Sequence, residues 1–302
     1  MARLFSTREV AAYLGIHEKK VYRLITEKNL PATKVTGKWL FPEHLVRQWV
    51  EQNTINYPGE STFLLNTPSL LVIAGSNDIL LDRCLGLFME LYPEFTAVFG
   101  NLGSMGGIKT LKQGLCHMAT AHLAEEDDQE YNFSFAAREM TNLPAVVNFC
   151  FREQGLIVGR DNPRKISGLS DLAGRNMTIV NRSISTGTRL WFDRRLRDEK
   201  IDPSQINGYE QEVQRHLDVG LAVLSGRADA GPGIRAVAQI LDLAFIPFHW
   251  ERFDLLINKE MFFARNVQAF LSLFAEPRFK ELAAGITGYD LSRSGKMVYP
   301  AA

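Results

Sequence analysis

Three segments of this chain put small or hydroxyl-bearing residues where an apolar run gives way to a helical pattern. They are Gly75-Ser76-Asn77-Asp78, Gly103-Ser104-Met105-Gly106-Gly107 and Ser185-Thr186-Gly187-Thr188-Arg189. A helix N-terminus offers unpaired backbone N–H groups and a partial positive charge. Glycine lets the backbone approach a ligand closely, and Ser and Thr hydroxyls add donors. The combination suits a tetrahedral oxyanion or a carboxylate. Any one such loop is also what an ordinary N-cap looks like. Three at matching positions beyond the carboxyl ends of strands, where open α/β sheets hold ligands, point to a shared site. The candidate ligand residues are therefore Ser76, Asn77, Ser104, Met105, His122, Ser185, Thr186, Gly187, Thr188 and Arg189. His122 reads equally as a ligand contact or a satisfied structural histidine. Arg152, Arg182 and Arg189 form a second group. An arginine in the cleft would favour a carboxylate or phosphate, but at least two of the three are expected to be surface or inter-lobe salt-bridge partners.

A different chemistry sits near the start of the chain. Lys19, Tyr22, Arg23 and Thr26 share one face of a helical pattern running from about Glu18 to Lys28, opposite Val21, Leu24 and Ile25. Lys34 and Lys38 flank the tip of a predicted hairpin, Thr33–Val35 against Lys38–Phe41 around Thr36-Gly37. Such cations and polar groups match phosphates and base edges.

The elements that must position this basic face are short. Ser6-Thr7-Arg8-Glu9 is a capping-box pattern opening a first helix that Gly15 ends. The basic helix follows after a short turn, as in a helix-turn-helix. Pro42 opens a last helix with Leu45, Val46 and Trp49 inward. Residues 54–68, with two prolines and a glycine, read as a linker with one short anchoring strand at Phe63-Leu64-Leu65. From residue 69 strands alternate with helices, which argues for an α/β fold with parallel sheets. Two extended crossings, near 146–156 and 245–257, suggest two lobes hinged together. Lobe 1 would take residues 69–147 and 256–302, and lobe 2 residues 148–255.

Charge follows this division. Residues 1–53 carry nine Lys/Arg against five Asp/Glu, and the remainder 25 against 29, so a zero net charge hides a basic N-terminal unit. Cys84, Cys116 and Cys150 are scattered and imply neither a metal site nor a disulfide framework. No apolar signal-peptide core and no run long enough for a membrane helix is present, so a cytoplasmic, reduced protein without membrane contact is expected. Gly103–Gly107 lacks a following P-loop lysine, and no nucleophile elbow, H-E-x-x-H or Cys–His motif occurs. The chain therefore reads as a non-enzyme with no cofactor and no metal. Glu125-Glu126-Asp127-Asp128 reads as a solvated acidic loop.

The motifs STREVAAYLGI, VYRLI, LPA and GKWLFP within residues 1–53 resemble the excisionase-type, MerR-like winged helix-turn-helix family. That resemblance implies double-stranded DNA as partner, with Lys19, Lys20, Tyr22 and Arg23 entering the major groove and the Thr36-Gly37-Lys38 wing on the backbone. Gly75–Asp78, Gly103–Gly107, Arg152–Leu156, Asn181-Arg182, Thr186–Arg189, Gly208–Glu210 and Gly226–Gly231, in that order, resemble the type 2 periplasmic-binding-protein fold of bacterial regulators. The resemblance implies a small ligand between two lobes, molybdate or tungstate in related domains, and a homodimer on paired half-sites. The expectation is a ligand-responsive DNA-binding transcriptional regulator. The alternatives are a sensor of a small organic anion with the same architecture, and an excisionase-like architectural factor.

Overall fold

The computed structural model describes residues 3–34, 37–54, 67–125, 130–174 and 176–300. The chain forms two compact units, residues 1–60 and 61–302.

In the first unit, β1 (Leu4–Ser6), α1 (Thr7–Leu14), α2 (Glu18–Glu27), β2 (Leu40–Pro42) and α3 (Glu43–Gln52) surround a small core of Phe5, Val10, Ala11, Val21, Leu30, Phe41 and Val46. The capping box is formed. Glu9 N donates to Ser6 Oγ at 3.3 Å, and Ser6 N donates back to Glu9 Oε2 at 2.7 Å. Gly15 closes α1 in the left-handed region at φ 65°. The predicted hairpin is reduced to one antiparallel bridge, Thr33 to Leu40, and Val35 and Thr36 lie outside the described residues. The apolar run at Leu40-Phe41 pairs with Leu4–Ser6 as well, and Phe41 is completely buried in the same core as Phe5.

The second unit runs β3 (Leu70–Gly75), α4 (Ile79–Leu91), β4 (Thr96–Asn101), α5 (Gly103–Lys112), β5 (Met118–Ala121), α6 (Phe133–Glu139) and β6 (Ala145–Val158). Then come β7 (Asn181–Arg182), α7 (Gly187–Asp198), β8 (Glu212–Val213), α8 (His216–Leu224), β9 (Ala230–Ile234), α9 (Arg235–Ile240) and β10 (Ala244–Ile257). It ends with α10 (Arg265–Ser272), α11 (Pro277–Ala284), β11 (Tyr289–Asp290) and β12 (Met297–Val298). The main sheet has the order β11-β6-β10-β5-β3-β4, with β9 and β12 also on β6.

Among the described residues, parallel pairing joins β3 with β4 and β5 and β7 with β8, with an isolated parallel bridge between Ile179 and Ala230; the rest of the main sheet is antiparallel. The two crossings are single 14-residue strands, β6 and β10, antiparallel from Ala244–Val158 to Ile257–Ala145. Each spans the region expected to be an extended crossing, and polar residues interrupt its apolar run. Those residues are the buried Arg152 and Gln154 on β6 and Glu251, Arg252 and Asp254 on β10. One end of this ribbon packs Phe149, Cys150 and Phe253 with α4, α10 and α11. The other packs Leu156 and Val158 with Ile179, Trp191 and Phe192. The two crossings thus join two lobes with separate cores. Residues 177–180 hold a bridge at Ile179, Asn181-Arg182 forms β7, and β9 begins at Ala230. The segment Gly103–Gly107, expected as a loop, is the first turn of α5. The strand expected at Phe63–Leu65 lies outside the described residues, as do Glu126–Asp128.

Candidate functional site

In the N-terminal unit, α2 buries Val21, half-buries Leu24 and Ile25, and exposes Lys19, Lys20, Tyr22 and Arg23. His17 starts the helix by accepting Lys19 N at 3.3 Å. Trp49 Nε1 donates to Lys28 O at 2.8 Å and ties α3 to the end of α2. Arg23 is engaged by Glu27 at 3.2 Å in an exposed i,i+4 pair, the kind that contributes little stability and exchanges readily for another anion. Lys38 is exposed, and Lys34 lies 5.6 Å from the Trp39 ring centre.

In the second unit the carboxyl edge of β3 turns at Gly75, φ 138°, where a Cβ would lie 2.3 Å from Thr120 O. Only glycine fits there. The turn delivers Ser76 and Asn77 to the interior, 1 % and 6 % exposed, and Asp78 to the start of α4, where Oδ1 accepts Leu80 N at 2.8 Å. His122 follows β5. Its Nε2 lies 2.9 Å from Ser76 Oγ, its Nδ1 2.8 Å from Glu251 Oε2, and its backbone N donates to Ser104 Oγ at 3.3 Å. Glu251 Oε1 also accepts Arg152 Nε at 2.5 Å and Gln154 Nε2 at 2.8 Å. Arg152 Nη1 reaches Asp78 Oδ2 at 2.9 Å. Ser76, Ser104 and His122 are thus brought together, around a buried Glu251–Arg152–Asp78 chain.

The second lobe closes onto this surface. A Cβ on Gly187 would lie 2.7 Å from His122 Cε1, Nδ1 and O, and one on Gly103 would lie 3.0 Å from Ser185 O. Thr186 caps α7, accepting Arg189 N at 3.3 Å, and Thr188 Oγ1 accepts Gln154 Nε2 at 2.9 Å. Ser185 is exposed. Met105 is half-buried and lines a cavity of about 280 Å³ with Leu123, Ile184, Ser185 and Thr186. Arg189 is committed elsewhere: Nε donates to Asp193 Oδ1 at 2.8 Å, Nη1 to Glu212 Oε1 at 2.9 Å, and its guanidinium lies over Tyr209. Its expected ligand role gives way to two carboxylates on its own lobe.

Arg182 is different. It is 1 % exposed, Nη2 donates to Gln214 O at 3.0 Å, and Nε and Nη1 have no hydrogen-bond partner among the described residues. No carboxylate among the described residues forms an ion pair with it, in contrast to Arg152, which has two but still leaves Nη2 unpartnered. His216, fully buried at the start of α8, has neither ring nitrogen partnered. Its ring centre is 6.5 Å from that of His122.

Electrostatics report the same crowding. Burial and the Arg152 guanidinium push Arg182 down to about 9. Burial, Arg182 and Arg152 hold His216 well below the usual histidine range. Burial lowers His122 too, against the opposing pull of Glu251. For Glu251, burial works upward, but His122 and Arg152 outweigh it and keep the carboxylate ionised. The interior therefore concentrates cationic and neutral donors, with its carboxylates already consumed. That arrangement can hold an anion.

Comparison with known proteins agrees with this layout. Residues 85–275, more than half of the chain, match the model of the PBP superfamily domain. The chain belongs to the PBP superfamily. Residues 4–54 match a helix-turn-helix domain. The uncharacterized protein YvgK of Bacillus subtilis is 26 % identical over 305 residues, covering 97 % of each chain. Among solved structures, one described as a phosphate ABC transporter substrate-binding protein with bound phosphate, from Clostridium perfringens, is 13 % identical, covers 77 % of this chain and all of its own, and has TM-score 0.54. The tungstate ABC transporter structure from Geobacter sulfurreducens is 14 % identical, covers 73 % of this chain and all of its own, and has TM-score 0.52. At such identities these two share the fold.

For this PBP-superfamily chain, sequence reasoning left Gln154, His216 and Glu251 out of the candidate set. The signal for Gln154 was present: a polar side chain inside the apolar run Ala145–Val158. His216 and Glu251 carried none, since their neighbours come from segments up to 129 residues away. Of the three arginines, Arg152 is an inter-lobe salt-bridge partner through Asp78, Arg189 pairs with Asp193 and Glu212 inside its own lobe rather than at the surface or between lobes, and Arg182 forms no salt bridge among the described residues.

Proposed function

We propose that this protein is a one-component transcription regulator in the cytoplasm. The helix-turn-helix unit binds operator DNA through Lys19, Lys20, Tyr22, Arg23, Lys34 and Lys38. The PBP-superfamily unit closes on a small anion. Lobe 1 comprises about residues 69–147 and 256–302 and lobe 2 about 148–255, and closure of one on the other changes how two DNA-binding units of a homodimer meet paired half-sites.

The observation that carries the ligand proposal is Arg182, a guanidinium 1 % exposed with two N–H-bearing nitrogens unpartnered among the described residues. A buried charge of this kind is strongly unfavourable until an opposite charge joins it. Ser76, Asn77, Ser104, His122 and the Ser185–Thr188 loop border the same region and belong to the proposed site, with Arg182 and His216 added. Molybdate and tungstate are the candidates implied by the resemblance, and the tungstate and phosphate neighbours support oxyanions as a class. The unpaired Arg182 supports the organic-anion alternative as well.

Calorimetry of the full-length protein against molybdate, tungstate, phosphate and small carboxylates tests the proposal. One of them should bind, and Arg182→Met should abolish the signal. Absence of heat from every anion, together with unchanged melting temperatures, contradicts it.

A further inference from the structure

The unpartnered buried atoms of the second unit are not all donors. Asn77 Oδ1 and Gln154 Oε1 are acceptors without a partner among the described residues; both residues neighbour Arg152, whose Nη1 donates to the Asn77 backbone oxygen and whose Nε shares Glu251 Oε1 with Gln154 Nε2. The orientation of Gln154 is fixed by its neighbour: Nε2 lies 2.8 Å from Glu251 Oε1, a carboxylate oxygen that can only accept, so Oε1 is the atom left over. His216 adds a third acceptor, because a neutral imidazole has one N–H and one bare nitrogen, and neither is engaged. Against these stand the donors Arg152 Nη2, Arg182 Nε and Nη1, and the one His216 N–H. The carboxylates nearby offer no alternative. Glu251 takes Arg152, Gln154 and His122, and Asp78 takes Leu80, Leu81, Arg152 and Tyr289.

We infer that the site takes an anion that keeps a hydroxyl proton, of the hydrogenphosphate or small hydroxy-acid kind, in preference to a bare oxyanion such as molybdate, tungstate or sulfate. This rests on the anion-sensing reading above and narrows it. A bare oxyanion only accepts hydrogen bonds. It satisfies Arg182 and Arg152 but leaves the Asn77 and Gln154 carbonyl oxygens buried with no donor, and a buried polar atom left unsatisfied is costly. An anion with its own O–H satisfies both sets at once. Discrimination by a buried group that would otherwise stay unpaired is larger than discrimination by size. Lowering of the His216 pKa by burial and by Arg182 and Arg152 fits this, since it keeps a bare ring nitrogen available at neutral pH.

The test is calorimetry on the full-length protein at neutral pH with matched pairs. Phosphate against sulfate and lactate against propionate differ chiefly in the presence of the O–H, and molybdate serves as the larger bare oxyanion. The expected result is that phosphate binds about tenfold or more tighter than sulfate and molybdate, or lactate tighter than propionate by the same factor. A tenfold difference is about 1.4 kcal/mol. Which pair responds tells an inorganic ligand from an organic one. Asn77→Leu should narrow the preference, and Asn77→Asp, which supplies a stronger acceptor and repels a bare dianion, should widen it. Melting curves of both variants establish that they fold. If neither variant folds, the matched pairs on the unaltered protein decide alone. Equal binding within both pairs, or tightest binding of molybdate or sulfate, overturns the inference while leaving an anion sensor intact. No binding by any of the five removes the anion reading itself.

Discussion

Arg182→Met should stabilise the ligand-free protein and abolish anion binding. Arginine at this position is 1 % exposed, makes one protein hydrogen bond at 3.0 Å to Gln214 O, and is pushed down to about 9 by burial and by Arg152. A depression of that kind means that the guanidinium, although still the predominant form at neutral pH, is less stable in the fold than in water. Methionine fills much of the same volume without the charge. Against the relief stand one lost hydrogen bond, about 1 kcal/mol, and imperfect packing. A net gain of about 1–2 kcal/mol is a reasonable expectation, or roughly 2–8 °C in melting temperature for a domain of this size. The same change removes the donors aimed at the anion. Charge-assisted hydrogen bonds contribute about 1.5–3 kcal/mol each, so loss of two weakens binding by a hundredfold or more. Scanning calorimetry on the free protein and titration calorimetry with the anion measure both halves. A variant that melts several degrees lower than the unaltered protein refutes the reasoning, because it shows Arg182 to be a satisfied structural group.

Other consequences follow from the same geometry. Gly187→Ala puts a Cβ 2.7 Å from the backbone oxygen of His122, so it should weaken anion binding five- to a hundredfold, the equivalent of about 1–3 kcal/mol of overpacking, while leaving the lobes folded; unchanged affinity would show that closure does not need this contact. Arg23→Ala should lower operator affinity by about 1–3 kcal/mol if Arg23 reads a base, and Lys38→Ala should reduce the salt dependence of binding, both measured by fluorescence anisotropy across a salt series. His216 is held below its unfolded value, so the unfolded chain takes up a proton first as pH falls through about 6.5. The free protein should therefore lose stability between about pH 7.5 and 5.5, and a bound anion, by favouring the imidazolium, should reduce the loss; a flat melting temperature across that window would speak against a buried neutral His216.

What could be read from the sequence was local. The Ser6–Glu9 box, the Gly15 cap and the Asp78-capped start of α4 are set by residues within a few positions of each other. So is the Ser76 turn, whose Gly75 sits where only glycine fits. The hairpin was legible only as the Thr33–Leu40 pair, and its other side was not, because the partner that Leu40 and Phe41 also take, Leu4–Ser6, lies 36 residues upstream of Phe41. The long crossings were visible as regions but not as single strands, since Arg152, Gln154 and Glu251 break the apolar pattern for reasons that exist only in three dimensions. The charged half of the site was hidden for the same cause. Nothing near Arg182 in sequence tells it from Arg189, yet Arg189 meets Asp193 and Glu212 while Arg182 forms no ion pair among the described residues.

The central claim is that an anion in the PBP-superfamily unit alters DNA binding by the helix-turn-helix unit. The measurement that tests it most directly is anisotropy of labelled DNA from the region upstream of the protein's own gene, titrated with full-length protein in the presence and absence of the tightest-binding anion found by calorimetry. The account predicts a change in apparent affinity of roughly fivefold or more, the scale of a coupling free energy of about 1 kcal/mol, that disappears in Arg182→Met although that variant still binds DNA. An anion that binds with full stoichiometry and leaves the DNA isotherm unmoved would contradict it.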